Sequence, residues 1–327
     1  DRHAMLRLRT ADWSLLVPEK GSTTAHLKSV DALTDEELVA ARSRLNPAAG
    51  EMVSALWVRS TSQLVLAVHH LSVDAVSWRI LLEDLNIAWA QHRHGQPVAL
   101  PTTGTSFSRW AALLAEHARH ASIVDQADRW RRVLATPSTL PAPRPGVDTY
   151  ASAGHLTASL DVETTRALLG EVPTAFHAGI QDILLIAYAL ALNEFLGVTL
   201  PVGVDVEGHG RVEDLRDLPA GIDLSRTVGW FTTKYPVGLK VSGRTGRAER
   251  RLSWDQVVSG DPELGRVIKD AKEQLRALPE GMTYGLMRYL NSDIDLPAAE
   301  PTVGFNYLGR LGGTGAVPSE AFAELWQ

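Results

Sequence analysis

The sequence predicts an α/β protein built from two lobes. Strand-like and helix-like segments alternate along the chain, which is the pattern of α/β folds. Residues 136–147 contain four prolines and form the clearest linker, with alternating segments on both sides of it. The length of 327 residues is about twice that of an ordinary domain. We therefore expect an N-terminal lobe over residues 1–135 and a C-terminal lobe over residues 148–327.

Local patterns predict the elements of the N-terminal lobe in order. Loosely alternating apolar residues indicate a strand over Met5–Val17. Thr34 is a helix-capping residue followed by three carboxylates, so a short helix is expected to begin there. Alternation, turn residues and helical spacing then predict strands at 52–59 and 63–70, joined as a hairpin, and helices at 74–91, 106–121 and 125–134. In the helix at 74–91, one apolar stripe contains Leu81, Leu85, Ala88 and Trp89.

The same signals predict the elements of the C-terminal lobe. A strand is expected over Gly154–Leu160 and a helix over Asp161–Gly170. The strongest helical periodicity in the chain runs from Ile180 to Phe195, and Gly197 closes this helix. The periodic residues are Ile180, Leu184, Ala187, Tyr188, Ala191, Leu192 and Phe195. Further along the chain we expect strands at 198–206 and 302–307 and a helix at 262–278.

The composition excludes several classes of function. There are 32 Lys+Arg against 38 Asp+Glu, so the net charge is -6 and the basic footprint of a nucleic-acid-binding domain is absent. Without cysteine the chain has no disulfide, thiolate zinc site, iron–sulfur cluster or thiol nucleophile. The longest apolar run, Ile183–Leu192, is too short to cross a bilayer. We expect a soluble, cytoplasmic piece of a longer protein, with neither nucleic acid nor membrane as a partner.

The first candidate site is the segment HHLSVDAVSW, which starts at His69. His69 and His70 end an apolar strand, so strand alternation sends their imidazoles to opposite faces. This geometry disfavours a shared metal ion and leaves one of the two as a base near neutral pH. Asp74 stands at the mouth of the next helix. It is either a helix N-cap or a charge that holds the loop and its histidine in place.

Three further segments could contribute to a site. Glu207-Gly-His-Gly-Arg211 follows a predicted strand, at the edge where α/β sheets bind ligands, although a solvated tight turn is the alternative. The segment Thr227–Thr232 contributes aromatic residues that by default belong to a core or a wall. Asn306 and Tyr307 carry polar groups that could bond a carbonyl or an amide.

Five segments, in this order, resemble the signature segments of epimerization domains of nonribosomal peptide synthetases. They are HHLSVDAVSWRILLEDL, VEGHGRVEDL, TVGWFTTKYPV, LPEGMTYGLMRYL and FNYLGRLG, and they extend from His69 to Gly312. Condensation domains of the same superfamily share the HHxxxDxxS core. However, the residues from Ser77 onward have the epimerization form, and Thr227–Thr232 occupies the place of the DFGWG segment of condensation domains. Ala75 stands where glycine is usual.

The resemblance implies a fold of two chloramphenicol-acetyltransferase-like lobes in a V-shaped pseudo-dimer with a tunnel between them. It implies epimerization, from L to D at the α-carbon, of an aminoacyl or peptidyl thioester on the 4′-phosphopantetheine arm of a peptidyl carrier protein. The carrier protein would lie upstream in the same chain and a condensation domain downstream, and the domain would need no cofactor or metal of its own. By position, His70 and Glu207 correspond to the catalytic residues of the family.

The resemblance also implies supporting residues, namely His69, Asp74, Ser77, Arg211, Asn306 and Tyr307. Asp74 corresponds to a structural aspartate, and Asn306 and Tyr307 correspond to residues of the tunnel. Two other functions stay open. One is a condensation-type acyltransferase in which His70 alone assists an amine nucleophile, and the other is a catalytically inactive remnant that docks a carrier protein. The opening segment of such domains is missing before Asp1, so we expect an incomplete domain.

Overall fold

The computed structural model describes residues 1–23, 26–138, 140–245, 248–297 and 299–309, which form the predicted α/β fold. These residues divide into two compact units. The first unit consists of Asp1–Glu116, His209–Thr232 and the described residues from Leu308 onward. The second unit consists of His117–Gly208 and Thr233–Tyr307. The chain therefore leaves the first unit and returns to it.

The two units differ from the predicted lobes in two segments. Residues 117–135 belong to the second unit. The reason is the indole of Trp130, which is fully buried there and donates a hydrogen bond to Thr283 Oγ1 at 3.0 Å. Residues 209–232 return to the first unit. The proline-rich segment at 136–147 thus lies inside the second unit and does not mark its boundary.

The first unit is built on a three-stranded sheet. Its elements are β1 (Arg9–Ala11), β2 (Ser14–Leu16), β3 (His26–Val30), α1 (Asp35–Ser43), β4 (Val53–Val58), β5 (Gln63–Val68), α2 (Ala75–Arg93) and α3 (Phe107–His117), which reaches the boundary at Glu116. The central strand β4 pairs parallel with β3 and antiparallel with β5, which confirms the predicted hairpin. Val30, Leu56 and Val58 of this sheet pack with Ala41 of α1 in one apolar cluster.

The predicted strand over Met5–Val17 is wrong. A short 3₁₀ helix at Ala4–Arg7 comes first, and β1 and β2 then form an antiparallel hairpin. Asp12 and Trp13 between them have φ angles of 45° and 62°. Two successive residues with positive φ make the kind of turn whose twist matches that of a hairpin. The apolar alternation continues across this turn in the sequence and hides it.

Helix α2 begins at its predicted N-cap, Asp74, but the face that it buries is different from the apolar stripe in its sequence. Ser77, Ile80 and Asp84 are buried, whereas Leu85 and Trp89 of the stripe are exposed. The returning segment 209–232 accounts for this choice. Ser77 forms hydrogen bonds with Gly229, and Asp84 pairs with Arg226. Polar side chains are buried at these positions because they have partners there.

The second unit is built on another three-stranded sheet. Its elements are α4 (Ala121–Val124), α5 (Ala127–Leu134), α6 (Val162–Leu169), α7 (Glu171–Phe176), α8 (Ile180–Leu196), β6 (Val202–Gly208), β7 (Thr233–Leu239), β8 (Gly243–Thr245), β9 (Ala248–Arg250), α9 (Trp254–Val258), α10 (Pro262–Arg276), α11 (Gly281–Leu290) and β10 (Gly304–Phe305). The central strand β6 pairs parallel with β10 and antiparallel with β7. Val202, Val204 and Val206 of β6 lie in the main core of this unit together with residues of α8 and α10.

Several predictions for this unit are confirmed and others are wrong. The helices predicted near 161–170, 180–196 and 262–278 are present, and Gly197 ends α8 with a φ of 67°. The residues predicted as a strand at 154–160 are exposed and irregular. Strand β7 and helix α11 were not predicted. The predicted stripe of α8 is not its buried face, because Ala189 and Asn193 are buried while Phe195 is exposed.

In the part of the chain that the structure describes, no helix alone has the length and apolar character needed to span a bilayer. Val162–Phe176 and Ile180–Leu196 reach that length and composition only when they are taken together, and they are bent by 96° at the break between them. Leu185, Ile186 and Ala189 of the second segment belong to the protein core.

Candidate active site

His69 is tied to the backbone around it. Its N–H donates to the carbonyl of Met52 at 2.9 Å, which continues the β4–β5 ladder by one residue. Its Nδ1 accepts a hydrogen bond from the N–H of Leu71 at 3.3 Å and so caps the short turn at His70–Ser72. Partial burial, together with the neighbouring His70, lowers the pKa of His69. The uncharged form is therefore favoured, as acceptance by Nδ1 requires.

His70 is exposed, and its imidazole contacts an indole. The ring of Trp230 lies edge-on to it, with 4.7 Å between the ring centroids and 62° between the ring planes. Trp230 is itself 43% exposed, so this tryptophan is not a core residue. The two rings meet because the segment 209–232 returns to the first unit. The sequence contains no local signal for this pairing.

Asp74 is the predicted N-cap, and its charge holds the segment 209–232. As N-cap of α2, its Oδ1 accepts a hydrogen bond from the N–H of Ser77 at 2.7 Å. Its Oδ2 accepts from the N–H of Phe231 at 3.2 Å, and both oxygens lie within 3.3 Å of Nη2 of Arg211. Since Asp74 is only 5% exposed, these contacts replace most of its hydration. One carboxylate thus fixes the start of α2 and the loop that carries Trp230.

Ser77 and Arg211 complete this buried polar cluster. The hydroxyl of Ser77 donates to the carbonyl of Gly229 at 2.9 Å and accepts from its N–H at 3.0 Å. Nη1 of Arg211 donates to the carbonyls of Leu224 and Thr227 at 2.9 and 2.6 Å. Burial lowers the pKa of Arg211, while Asp74 opposes this change. An arginine keeps its charge in proteins, so the pair is ionic.

An aromatic wall covers the cluster of Asp74, Ser77 and Arg211. The guanidinium of Arg211 lies over the ring of Phe231 at 4.0 Å, and Phe231 meets the ring of Phe107 edge-on at 4.9 Å. The side chain of Arg211 is 8% exposed. Close packing here leaves no room at Gly229, where an added Cβ would lie 2.4 Å from the Phe107 ring. The cluster is therefore closely packed.

Glu207 is the penultimate residue of β6, and its carboxylate contacts Asn306, the residue that follows β10. The Nδ2 of Asn306 donates to Glu207 Oε2 at 2.7 Å. The parallel register explains this contact. Phe305 lies opposite Val206, so the residues that follow them, Asn306 and Glu207, are also neighbours. Asn306 is exposed, whereas Glu207 and Tyr307 are partly buried. The sequence identified both bonded residues as site residues, but not the bond between them.

A charged cluster surrounds the same part of β6, and sequence reasoning missed it. Nζ of Lys234 on β7 lies 3.0 Å from Asp205 Oδ2 and 2.7 Å from Glu300 Oε2. Burial raises the pKa of Asp205, and Lys234 opposes this change. Burial alone would lower the pKa of Lys234, but its hydrogen bonds to both carboxylates raise it instead. The lysine therefore stays charged.

The described residues thus bring the predicted site residues together in two groups. In the first unit, Asp74, Ser77 and Arg211 form one cluster that includes the loop of Trp230, whose ring contacts His70. In the second unit, Glu207 is bonded to Asn306. Within the described part of the chain, no three or more histidine and acidic side chains are placed to hold a metal ion.

Comparison with known sequences identifies relatives of the chain. A sequence model with the description Condensation domain matches residues 32–320. One of the linear gramicidin synthase proteins from Brevibacillus parabrevis is 37% identical over 315 residues, which cover 93% of this chain and 6% of that protein. Chondramide synthase cmdD from Chondromyces crocatus is 38% identical over 334 residues, which cover 94% of this chain and 8% of that protein. The chain spans less than a tenth of the length of these two relatives.

Solved structures resemble the fold as well. The epimerization domain from the third module of tyrocidine synthetase B matches with a TM-score of 0.79 and 28% identity, over 95% of this chain and 71% of that one. The first condensation domain of the calcium-dependent antibiotic synthetase matches with a TM-score of 0.59 and 18% identity, over 93% and 68% of the two chains. At such low identity, the second match demonstrates similarity of fold alone.

Proposed function

Because the chain belongs to the condensation-domain family, we propose that it is an epimerase of a nonribosomal peptide synthetase. It converts the α-carbon of an aminoacyl or peptidyl group from L to D while that group is a thioester on the 4′-phosphopantetheine arm of a peptidyl carrier protein. The carrier protein lies upstream in the same synthetase, and a downstream condensation domain receives the product. The observation that carries the proposal is the match to an epimerization domain, with a TM-score of 0.79 and 28% identity, against 0.59 and 18% for a condensation domain.

The chemistry of inversion requires two proton-transferring groups. The α-hydrogen of a thioester is weakly acidic, so its removal needs a positioned base and stabilisation of the resulting enolate. Inversion then needs a proton delivered to the opposite face of the α-carbon. We assign these two tasks to His70 and Glu207. The reaction consists of proton transfers only, so the proposal includes no cofactor or metal of the domain's own.

The supporting residues act through these two. Asp74, Ser77 and Arg211 hold the loop that sets Trp230 against His70, and His69 caps the turn beside it. Asn306 orients the Glu207 carboxylate with one of its two amide N–H groups. We propose that its other N–H, or the hydroxyl of Tyr307, donates to the thioester or amide oxygen of the substrate.

A condensation-type acyltransferase is the second candidate, and the match of the Condensation domain model favours it. In that reaction His70 assists the attack of an amine, and Glu207 has no required role. A carrier-docking domain without catalysis is the third. One experiment separates them: the full-length protein is loaded with an L-aminoacyl or peptidyl thioester, and the released product is analysed for chirality and for a new amide bond. Inversion of the α-carbon supports the epimerase, and a new amide bond supports the acyltransferase. If neither product forms, the result supports a domain that only docks the carrier protein.

Glu207→Gln tests the assignment of the two bases. The change keeps the size of the side chain but removes proton transfer, so epimerization should fall by about 10²–10⁴-fold. One enantiomer of the tethered substrate should still exchange its α-hydrogen with deuterated solvent through His70, and His70→Ala should reverse this preference. Glu171→Gln, at an exposed position of α7, is the matched control and should leave the rate unchanged. Near-normal epimerization in Glu207→Gln would refute the assignment.

A further inference from the structure

Lys234 lies directly opposite Glu207 in the antiparallel ladder of β6 and β7. Directly opposed residues share one face of a sheet, with their Cβ atoms about 4.5–5.5 Å apart, and opposite charges at such positions attract each other. In this structure, however, the ammonium of Lys234 binds Asp205 and Glu300, at 3.0 and 2.7 Å. The carboxylate of Glu207 is bonded to Asn306. The cation opposite the proposed base thus contacts two other carboxylates.

We propose that Asp205 and Glu300 are positioning residues that hold the Lys234 ammonium away from Glu207 and thereby keep the Glu207 carboxylate basic. Asp205 lies two residues before Glu207 on the same face of β6, so it competes for the lysine from the diagonal position. Glu300 approaches from the chain that precedes β10. This inference rests on the proposed role of Glu207 as an acid–base group.

Both anions are themselves held in place. Glu300 Oε1 accepts a hydrogen bond from Tyr284 OH at 2.7 Å, and its other neighbours on α11 are Tyr289 OH at 3.4 Å and Arg288 Nε at 3.9 Å. The backbone N–H of Asp205 donates to the carbonyl of Val303 at 2.8 Å. Asp205 is 7% exposed, which limits the positions that its carboxylate can take.

These contacts make the arrangement sensitive to charge. Among the described residues, the charged and titratable groups that this network links are Asp205 on β6, Lys234 on β7, Glu300 before β10, and Tyr284, Arg288 and Tyr289 on α11. When Asp205 and Glu300 are neutral, Glu207 becomes the anion closest to Lys234 along the ladder. An opposite charge within about 4–6 Å lowers the pKa of a carboxyl group by about 1–3 units. A carboxylate with a lower pKa is a weaker base for the α-hydrogen.

The test uses the double variant Asp205→Asn/Glu300→Gln. Titration of ¹³C-labelled glutamate carboxyl groups by NMR, with the Glu207 signal assigned from Glu207→Gln, should show its pKa lowered by about one unit or more relative to the parent protein. Adding Lys234→Gln to the double variant should restore the parent value. Glu300→Gln alone, at the more exposed anion, should lower the pKa by a smaller amount and serves if the double variant does not fold.

The titration separates this inference from the proposed function, because it does not depend on turnover. An unchanged pKa of Glu207 in the variants, or a lowered pKa that Lys234→Gln does not restore, would overturn the inference whether or not the chain epimerizes. A lowered and restored pKa in a chain without epimerase activity would support the positioning role and reject the proposed function alone. In an active chain, the low-pH limb of the α-hydrogen exchange rate should move to lower pH in the double variant.

Discussion

Arg211→Met should destabilise the first unit more than an ordinary substitution does. The variant keeps the length of the side chain but leaves the carboxylate of Asp74, which is 5% exposed, without its cation. Removal of one partner of a buried ion pair costs about 3–5 kcal/mol. The carbonyls of Leu224 and Thr227 also lose their donor. Asp74 keeps two N–H donors, from Ser77 and Phe231, and these limit the cost of leaving its carboxylate without a cation. We therefore expect Arg211→Met to lower the free energy of unfolding by about 3–5 kcal/mol in total.

A double-mutant cycle isolates the pair. Asp74→Asn retains an acceptor for the cap on Ser77 but leaves the buried guanidinium of Arg211 without its anion, so it should also cost about 3–5 kcal/mol. In Asp74→Asn/Arg211→Met neither charge remains, and the cost should be lower than the sum of the single costs by about 0.5–3 kcal/mol. Urea unfolding gives the free energies, and hydrogen exchange of the Gly229 and Phe231 amides assigns the loss to this loop. Additive costs, or a cost below about 1 kcal/mol for Arg211→Met, would refute the reasoning.

Two other perturbations test local features of the fold. Gly229→Ala places a Cβ 2.4 Å from the Phe107 ring and should lower the free energy of unfolding by about 1–3 kcal/mol. Gly265→Ala in α10 is the control, because its Cβ would have nothing within 4 Å, and it should raise the free energy of unfolding by about 0.5–1 kcal/mol. Equal effects of the two variants in urea unfolding would contradict the packing at Gly229. Burial lowers the pKa of His3 below 6.5 despite its contact with Asp84, so the unfolded chain binds the proton more readily. The contribution of His3 to stability should therefore be complete above pH 6.5 and fall as the pH drops from there through its folded-state pKa, by at most about 1.4 kcal/mol per pH unit. The slope should be smaller in His3→Gln, where His69, whose pKa is also lowered, still contributes.

The features that the sequence predicted correctly depend on residues close together in the chain. Thr34, Asp74 and Asp161 accept hydrogen bonds from backbone N–H groups three residues further on. Such caps are local, so residue type and spacing are sufficient to predict them. Gly197 ends α8 with a positive φ for an equally local reason.

The features that the sequence could not predict depend on distant partners. Asn306 and Glu207 are 99 positions apart, and their contact follows from the register of two strands. The buried face of α2 contains Ser77 because that hydroxyl bonds a glycine 152 positions away. Helix α8 is apolar on most sides, so its periodicity did not select the buried face. Strand β7 contains Pro236, and a proline argues against a strand because it has no N–H to donate to the ladder. The structure accommodates Pro236 because β7 is an edge strand of its sheet, a position that the sequence alone does not reveal.

The return of residues 209–232 to the first unit has a consequence for the order of synthesis. Ser77 binds Gly229, 152 positions later, and Asp74 binds the N–H of Phe231, 157 positions later. A ribosome makes chains from the N-terminus, and contacts between such distant residues form slowly because a long loop must close first. The polar face of α2 thus stays hydrated while the whole segment His117–Gly208 is translated. The second unit in turn needs Thr233–Tyr307, so neither unit has all of its described residues until translation of the domain is nearly complete.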